Sequence, residues 1–149
     1  MKMVSPYLNF AGNTEEAFGF YRSVFGGEFP MVLRYRDFGG NAMGAPEHEL
    51  DKIAHMALPL GRDTMLMGTD VLESQAASLN MGNNFYISLE ADSGAEASQL
   101  FDALAAGGLV EMPMQQTEWA EQFGICKDKF GVQWMVSYTG SVEFSVEQG

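Results

Sequence analysis

The chain repeats itself, and that repeat limits what it can fold into. "SPYLNFAGNTEEAFGFYRSVFGGEF" begins with a short alternating strand. Asn13 then opens a helix, with Glu16 placed as its capping-box partner. Ala17, Phe20, Tyr21 and Val24 recur at helical spacing, and Gly26-Gly27 ends the helix. The later stretch "NNFYISLEADSGAEASQLFDALAAGGLVEM" has the same order of parts. A strand is predicted from Phe85 to about Ala91, and Ser93 is the cap with Glu96 its partner. Ala97, Leu100, Phe101 and Leu104 form the stripe before Gly107-Gly108. Glu16-Ala17 corresponds to Glu96-Ala97, and Phe20-Tyr21 to Leu100-Phe101.

The ends of the halves correspond too. "GRDTMLMGTD" from Gly61 matches "GVQWMVSYTG" from Gly131. Two strand-like runs lie between helix and final strand in each half. They are "FPMVLRYRDF" and "DKIAHMALPL" in the first, "LVEMPMQQTE" and "QFGICKDK" in the second. The extra length of the first half reads as a loop, "GGNAMGAPEHEL", Gly39 to Leu50. Each half is therefore β-α-β-β-β, and neither closes a core alone, so pairing is expected. The expectation is an α+β chain forming one domain over residues 1–149. Module one covers about 4–72 and module two about 82–139, with a short C-terminal tail.

Composition excludes several partners. Twenty acidic residues against 8 basic ones give a net charge of −12. Nucleic acid and anionic membrane surfaces need a basic footprint that this balance does not supply. Cys126 is the only cysteine, so no internal disulfide forms, and no neighbouring base marks it as a nucleophile. "MKMVSPYLNF" has no apolar signal-peptide core, and no run reaches membrane-spanning length. A cytoplasmic protein is the expectation.

Paired β-α-β-β-β modules resemble the vicinal oxygen chelate superfamily, which includes glyoxalase I, extradiol dioxygenases, fosfomycin-resistance enzymes and bleomycin-binding proteins. "SPYLNFAGNTEEAFGFY", "IAHMAL", "DTMLMGTD" and "TEWAEQFGICKDKFGVQWMVSY" resemble its PhnB-like branch and cover most of the chain. The resemblance implies the glyoxalase/bleomycin resistance fold, a cup-shaped mixed sheet built from the two modules, and a homodimer. Members of the branch are often labelled 3-demethylubiquinone methyltransferase-like. A methyltransferase of the usual kind needs a parallel sheet with a Gly-rich strand-to-helix turn, and the Gly pairs here follow helices or sit in loops.

The superfamily's metal ligands come from the first and last strands of each module. Alternation predicts which residues stand there. Leu8 and Phe10 suit the helix side, so Tyr7 and Asn9 face the cup. Phe85, Ile87 and Leu89 are expected to pack, leaving Tyr86 and Ser88 in the cup. On the last strands Leu66, Trp134 and Val136 pack, while Met65, Met67, Gln133, Met135 and Ser137 face the cup. The superfamily's carboxylate falls near Met65 or Met67, and near Met135. Phenols and thioethers are poor ligands for the divalent ions these enzymes use. The expectation is a small-molecule pocket with no metal and no other cofactor.

His55 is either the remaining acid/base candidate or a structural histidine, and a hydrogen bond to Asp70 at the end of the adjoining strand would orient the pair or simply satisfy both groups. A displaced metal site would need His55 with Asp70, Glu90 or Glu118. The resemblance places Trp119, beside Gln115, Gln116 and Glu118, at the cup's rim, where it either stacks with the two tyrosines on a flat ligand or packs in the core or a dimer contact. Eleven methionines suit a permissive pocket. His48, in the acidic loop, is expected to be solvated rather than to hold a metal. Two functions stay open at this level. One is sequestration of a small organic molecule. The other is a lyase, isomerase or epimerase reaction with His55 as acid/base.

Overall fold

A computed structural model describes residues 1–142, so the expected tail falls mostly outside the described residues. The chain divides into two units, Met1–Asn80 and Met81–Gly149, and each holds one module. The first contains β1 (Tyr7–Phe10), α1 (Thr14–Phe25), β2 (Met31–Arg34), β3 (Ile53–Leu60), β4 (Thr64–Asp70) and the single-turn α2 (Glu73–Ala76). The second contains β5 (Ile87–Glu90), α3 (Gly94–Ala105), β6 (Leu109–Gln115), β7 (Gln122–Lys127) and β8 (Gln133–Tyr138). No helix among the described residues is long and apolar enough to cross a membrane.

Both units use one topology. The strand orders are β1-β4-β3-β2 and β5-β8-β7-β6. In each sheet the first and last strands of the module pair in parallel, and the other pairings are antiparallel. The parallel pair forms because the helix carries the chain back over one face of the sheet.

That helix covers one face only. Thr14, Ala17, Phe18 and Tyr21 are the buried residues of α1, packed with Leu8, Phe10, Met56, Leu58 and Leu66 in the unit's core. Burying each large apolar side chain contributes about 1.5–3 kcal/mol. The stripe is shifted from the expected one: Phe18 is fully buried, while Phe20 and Val24 are only half-buried. The room for Phe18 comes from Gly68, where an added Cβ would stand 2.7 Å from the Phe18 ring. In the second unit Ala97, Phe101 and Leu104 pack, with Leu100 half-buried. Gly124 admits Phe101 in the same way, at 2.8 Å from an added Cβ.

The two helix caps differ. Ser93 caps α3 as expected, its hydroxyl accepting from Glu96 N–H at 3.1 Å. Glu96 reaches back to Asp92 N–H, one residue before the cap. The Asn13 side chain makes no capping bond. Asp70 does that work from the end of β4, accepting from Thr14 N–H at 3.0 Å and Thr14 Oγ1 at 2.6 Å. A carboxylate at a helix N-terminus satisfies an orphan donor and complements the helix dipole.

Two predicted strands are shorter than expected. β2 stops at Arg34 because Tyr35 turns inward and donates its hydroxyl to the Asp70 carbonyl at 2.8 Å. β5 begins at Ile87, and Phe85 is exposed rather than packed. The loop from Gly39 to Leu50 is confirmed, with short 3-10 turns at Ala42–Gly44 and Glu47–Glu49.

Candidate functional site

The face of each sheet opposite its helix is open, and the pairing register shows which residues share it. In the first unit Tyr7 pairs Met67, which pairs Ala57, which pairs Met31. The next row is Asn9 beside Thr69, with His55 and Leu33 continuing it. Met65 lies opposite Pro59 on the same face. Tyr7, Asn9, Met65 and Met67 therefore stand together, as alternation predicts. His55 joins them.

The polar contact at the centre is between Tyr7 and His55. Tyr7 Oη lies 3.2 Å from His55 Nδ1, and the rings are 5.6 Å apart and tilted by 30°. Partial burial raises the Tyr7 phenol above its ordinary pKa, and a hydrogen bond with Thr69 offsets part of that. The phenol thus stays protonated at neutral pH and is available as a donor. The Thr69 hydroxyl lies 2.9 Å from the Ala54 carbonyl, which holds the threonine against β3. Thr69 is a residue that the sequence reading missed, although its alternation with Met65 and Met67 marks the same face.

The expected His55–Asp70 bond is replaced by this arrangement. Phe10 pairs Asp70, so the carboxylate lies on the helix side of the sheet. Oδ1 is taken by Thr14 and Oδ2 by Ile53 N–H at 2.9 Å. Asp70 is only 2% exposed and holds α1, β3 and β4 together. Parity is the physical reason: residues 69 and 70 point to opposite faces.

The second unit's open face carries Ser88 opposite Met135, Met135 opposite Ile125, and Ile125 opposite Met112. Ser88 is exposed and Met135 half-buried. Tyr86 donates its hydroxyl to Glu111 at 2.7 Å, and that bond raises the phenol's pKa. Glu111, on β6, was also missed, since its strand is irregular between Val110 and Met112. Trp119 is exposed and meets Phe123 edge-on at 5.3 Å between ring centres. Gln133 is not open to a ligand: it is buried, and its Nε2 donates to the Phe85 carbonyl at 2.6 Å.

The register also corrects a correspondence between the halves. Sequence matching equates Met65 with Met135. Pairing places Met135 opposite Ser88 and Thr69 opposite Asn9, so Thr69 is the counterpart of Met135. The β3–β4 hairpin is longer than the β7–β8 hairpin before its turn, which misleads a match anchored on Gly61 and Gly131.

Neither open face fits the superfamily's divalent ion. In the first unit, His55 stands among Tyr7, Asn9, Thr69 and methionines, and the nearby carboxylate, Asp70, is on the other side. In the second, Glu90 Oε1 accepts from Thr139 N–H at 2.7 Å, beside serines and Met135. Glu118 is exposed. Among the described residues these donor sets lack three clustered imidazoles or carboxylates. Cys126 adds nothing reactive: burial, with the charges of Asp128 and Glu111, pushes its thiol up to about 11.

A different cluster forms around His48, which is exposed as expected. His48 Nε2 lies 3.1 Å from Glu73 Oε2. Lys52 bonds Glu49 at 2.8 Å, and this bond with the Glu73 amide holds the Glu49 carboxyl below its ordinary pKa.

Comparison with known proteins places this geometry. The family model described as 3-demethylubiquinone-9 3-methyltransferase matches residues 2–137. The chain belongs to this PhnB-like family. It is 33% identical over 141 residues to Protein YjdN of Escherichia coli strain K12, covering 90% of this chain and 93% of that one. Among solved structures, protein PA1353 from Pseudomonas aeruginosa is 39% identical, with a TM-score of 0.76 over 91% of this chain and 96% of that one. The PhnB protein from Bacillus cereus is 26% identical, with a TM-score of 0.67 over 91% and 98%. A glyoxalase-related enzyme from Fulvimarina pelagi shares the fold, with a TM-score of 0.62 at 16% identity over 98% and 100%. The α+β glyoxalase/bleomycin resistance fold is thereby established. The parallel sheet that a methyltransferase of the usual kind needs is not present among the described residues, whose sheets each contain a single parallel pair.

Proposed function

We propose that this PhnB-like protein binds a small organic molecule on the open face of the first unit's sheet, without a metal in that contact. The Tyr7–His55 contact carries the reading. It puts a phenol donor and an imidazole side by side on a half-exposed surface flanked by Met65 and Met67. Such a pair suits a ligand carrying a carbonyl or oxyanion on a flat apolar body. The thioethers supply an adaptable floor.

A thermal-shift screen of small carbonyl compounds and aromatic acids tests the reading. A hit should lose affinity by about tenfold in Tyr7→Phe or His55→Ala, the effect of one or two lost hydrogen bonds. The shift should survive exhaustive chelation. Hits indifferent to both substitutions, or abolished by chelation, would sink the proposal.

The same contact favours a second reading, proton transfer in a lyase, isomerase or epimerase reaction. Tyr7 engages Nδ1, which leaves Nε2 of His55 to give or take a substrate proton. With a substrate in hand, His55→Ala should then abolish turnover while the urea midpoint stays unchanged.

A homodimer and a cytoplasmic location belong to the same reading. β2 and β6 are edge strands, and they expose Met31, Val32, Leu109 and Val110. Apolar edge strands favour pairing with another copy. Light scattering should give about twice the 16.3 kDa chain mass, and a monomer at micromolar concentration would refute the dimer.

A further inference from the structure

The open face of the second unit's sheet carries a cation that the Tyr7–His55 site does not use. Lys127, at the end of β7, pairs in register with Gln133 on β8 and Leu109 on β6. Alternation puts it on the same face as Ile125 and Phe123, two and four residues back along the strand. Lys127 is half-buried, as are Arg34 and Lys52. Those two have carboxylate partners, Arg34 with Glu15 at 2.7 Å and Lys52 with Glu49 at 2.8 Å. Lys127 has no ion pair or hydrogen bond among the described residues.

With 20 acidic residues against 8 basic ones, this chain does not leave a lysine unpaired for want of carboxylates. Glu111, on the neighbouring strand β6, accepts from the Tyr86 hydroxyl at 2.7 Å instead. An ammonium drawn partly out of water without a counter-charge is unfavourable, and an anion seated against it removes that penalty. The surroundings of Lys127 say which anion fits. The next row along the face is Ile125 with Met135 and Met112, all half-buried. It is an aliphatic, adaptable strip with no ring to stack on. The row after it holds Phe123, met edge-on by exposed Trp119. Thr117 fixes that tryptophan: its N–H donates to the Ala120 carbonyl at 3.0 Å, and its hydroxyl accepts from Trp119 N–H at 3.3 Å. Glu90 lies in this far row, through Ser137, and turns an anionic head away from that end.

We propose that this strip binds a medium-chain alkyl carboxylate, its head on Lys127 Nζ and its tail over Ile125 and Met135 toward Trp119. The strand from Lys127 to Phe123 spans roughly 13 Å, which sets the length of tail that fits. The head gains charge-assisted hydrogen bonds from the ammonium. The tail covers apolar surface that the sheet otherwise leaves to water. The site lies wholly within the second unit, so it does not rest on the Tyr7–His55 contact.

Isothermal titration of the full chain with decanoate, kept below its micelle concentration, tests the site. One saturable equivalent is expected. Decanol lacks the charged head and butyrate lacks the tail, so each should bind about tenfold more weakly or worse. Lys127→Met keeps an apolar stem and removes the charge, and it should weaken decanoate by about tenfold, to the level of decanol. Trp119→Ala should weaken decanoate several-fold. Neither side chain belongs to the buried core, so both variants should keep the wild-type urea midpoint. His55→Ala should bind decanoate as the wild type does. The proposal is overturned if decanoate shows no saturable binding, which would leave Lys127 a surface lysine with a covered stem. It is equally overturned if decanol matches decanoate on the wild-type protein, a comparison that needs no variant, or if Lys127→Met binds unchanged. Loss of binding in His55→Ala would also overturn it, by moving the carboxylate to the first unit's face.

Discussion

Asp70→Ala is expected to destabilise the protein by about 3–5 kcal/mol. The carboxylate accepts three hydrogen bonds, from Thr14 N–H, Thr14 Oγ1 and Ile53 N–H. Hydrogen bonds to charged groups contribute about 1.5–3 kcal/mol each, although they do not add fully. The helix also loses its cap, a further 0.5–2 kcal/mol or so. Against a total stability of about 5–15 kcal/mol, this is a large share. Asp70→Asn should lose less. Its amide oxygen can still serve Thr14, but its NH2 then confronts the Ile53 N–H donor. Thr14→Val should reproduce the part that runs through the hydroxyl. Urea denaturation of the three variants measures these differences. An unchanged midpoint in Asp70→Ala, with loss of a confirmed activity, would instead restore Asp70 as a catalytic group.

Asp128→Ala should damage the second unit comparably, by about 3–5 kcal/mol. Its Oδ1 accepts from Phe130 N–H at 2.8 Å and Val132 N–H at 3.1 Å. Oδ2 accepts from the Trp134 indole at 2.8 Å. Trp134 is fully buried, so without Asp128 its N–H loses this partner in the core. The same aspartate shapes the turn into β8, which needs Gly131 at a φ of 91°. Asp128→Asn separates the two roles: its oxygen can keep the turn, while its NH2 opposes the indole N–H. Tryptophan fluorescence in a Trp119→Phe background would follow Trp134 as the sole remaining tryptophan. An Asp128→Ala protein with native denaturation and an unaltered Trp134 signal would show that this aspartate is dispensable.

These two aspartates show what local pattern can and cannot reveal. "KDKFGVQWMVSY" is readable as a turn entering an alternating strand, with Trp134 and Val136 packed and Met135 on the other face. That Asp128 reaches ahead to the indole depends on how the turn closes. Asn13 looks like a cap because its residue type and spacing are right. The bond goes to Asp70 because β4 runs parallel to β1 and ends beside the helix start, a non-local fact. The His55–Asp70 pairing failed for the same reason, since adjacency between strands does not ensure a shared face. Tyr7, Asn9, Met65 and Met67 were legible because alternation within a strand is local.

The sequence by itself determined the two-module architecture, the helix and strand order, and the family. Those depend on periodicity, caps and glycine punctuation, which act within a few residues. Only the tertiary structure decided that Tyr7, rather than Asp70, engages His55, that Thr69 is the counterpart of Met135, and that His48 meets Glu49 and Glu73. Each depends on the register between strands or on where a loop lands. Register is set by packing and hydrogen bonding across the whole sheet, and no short stretch of the chain encodes it.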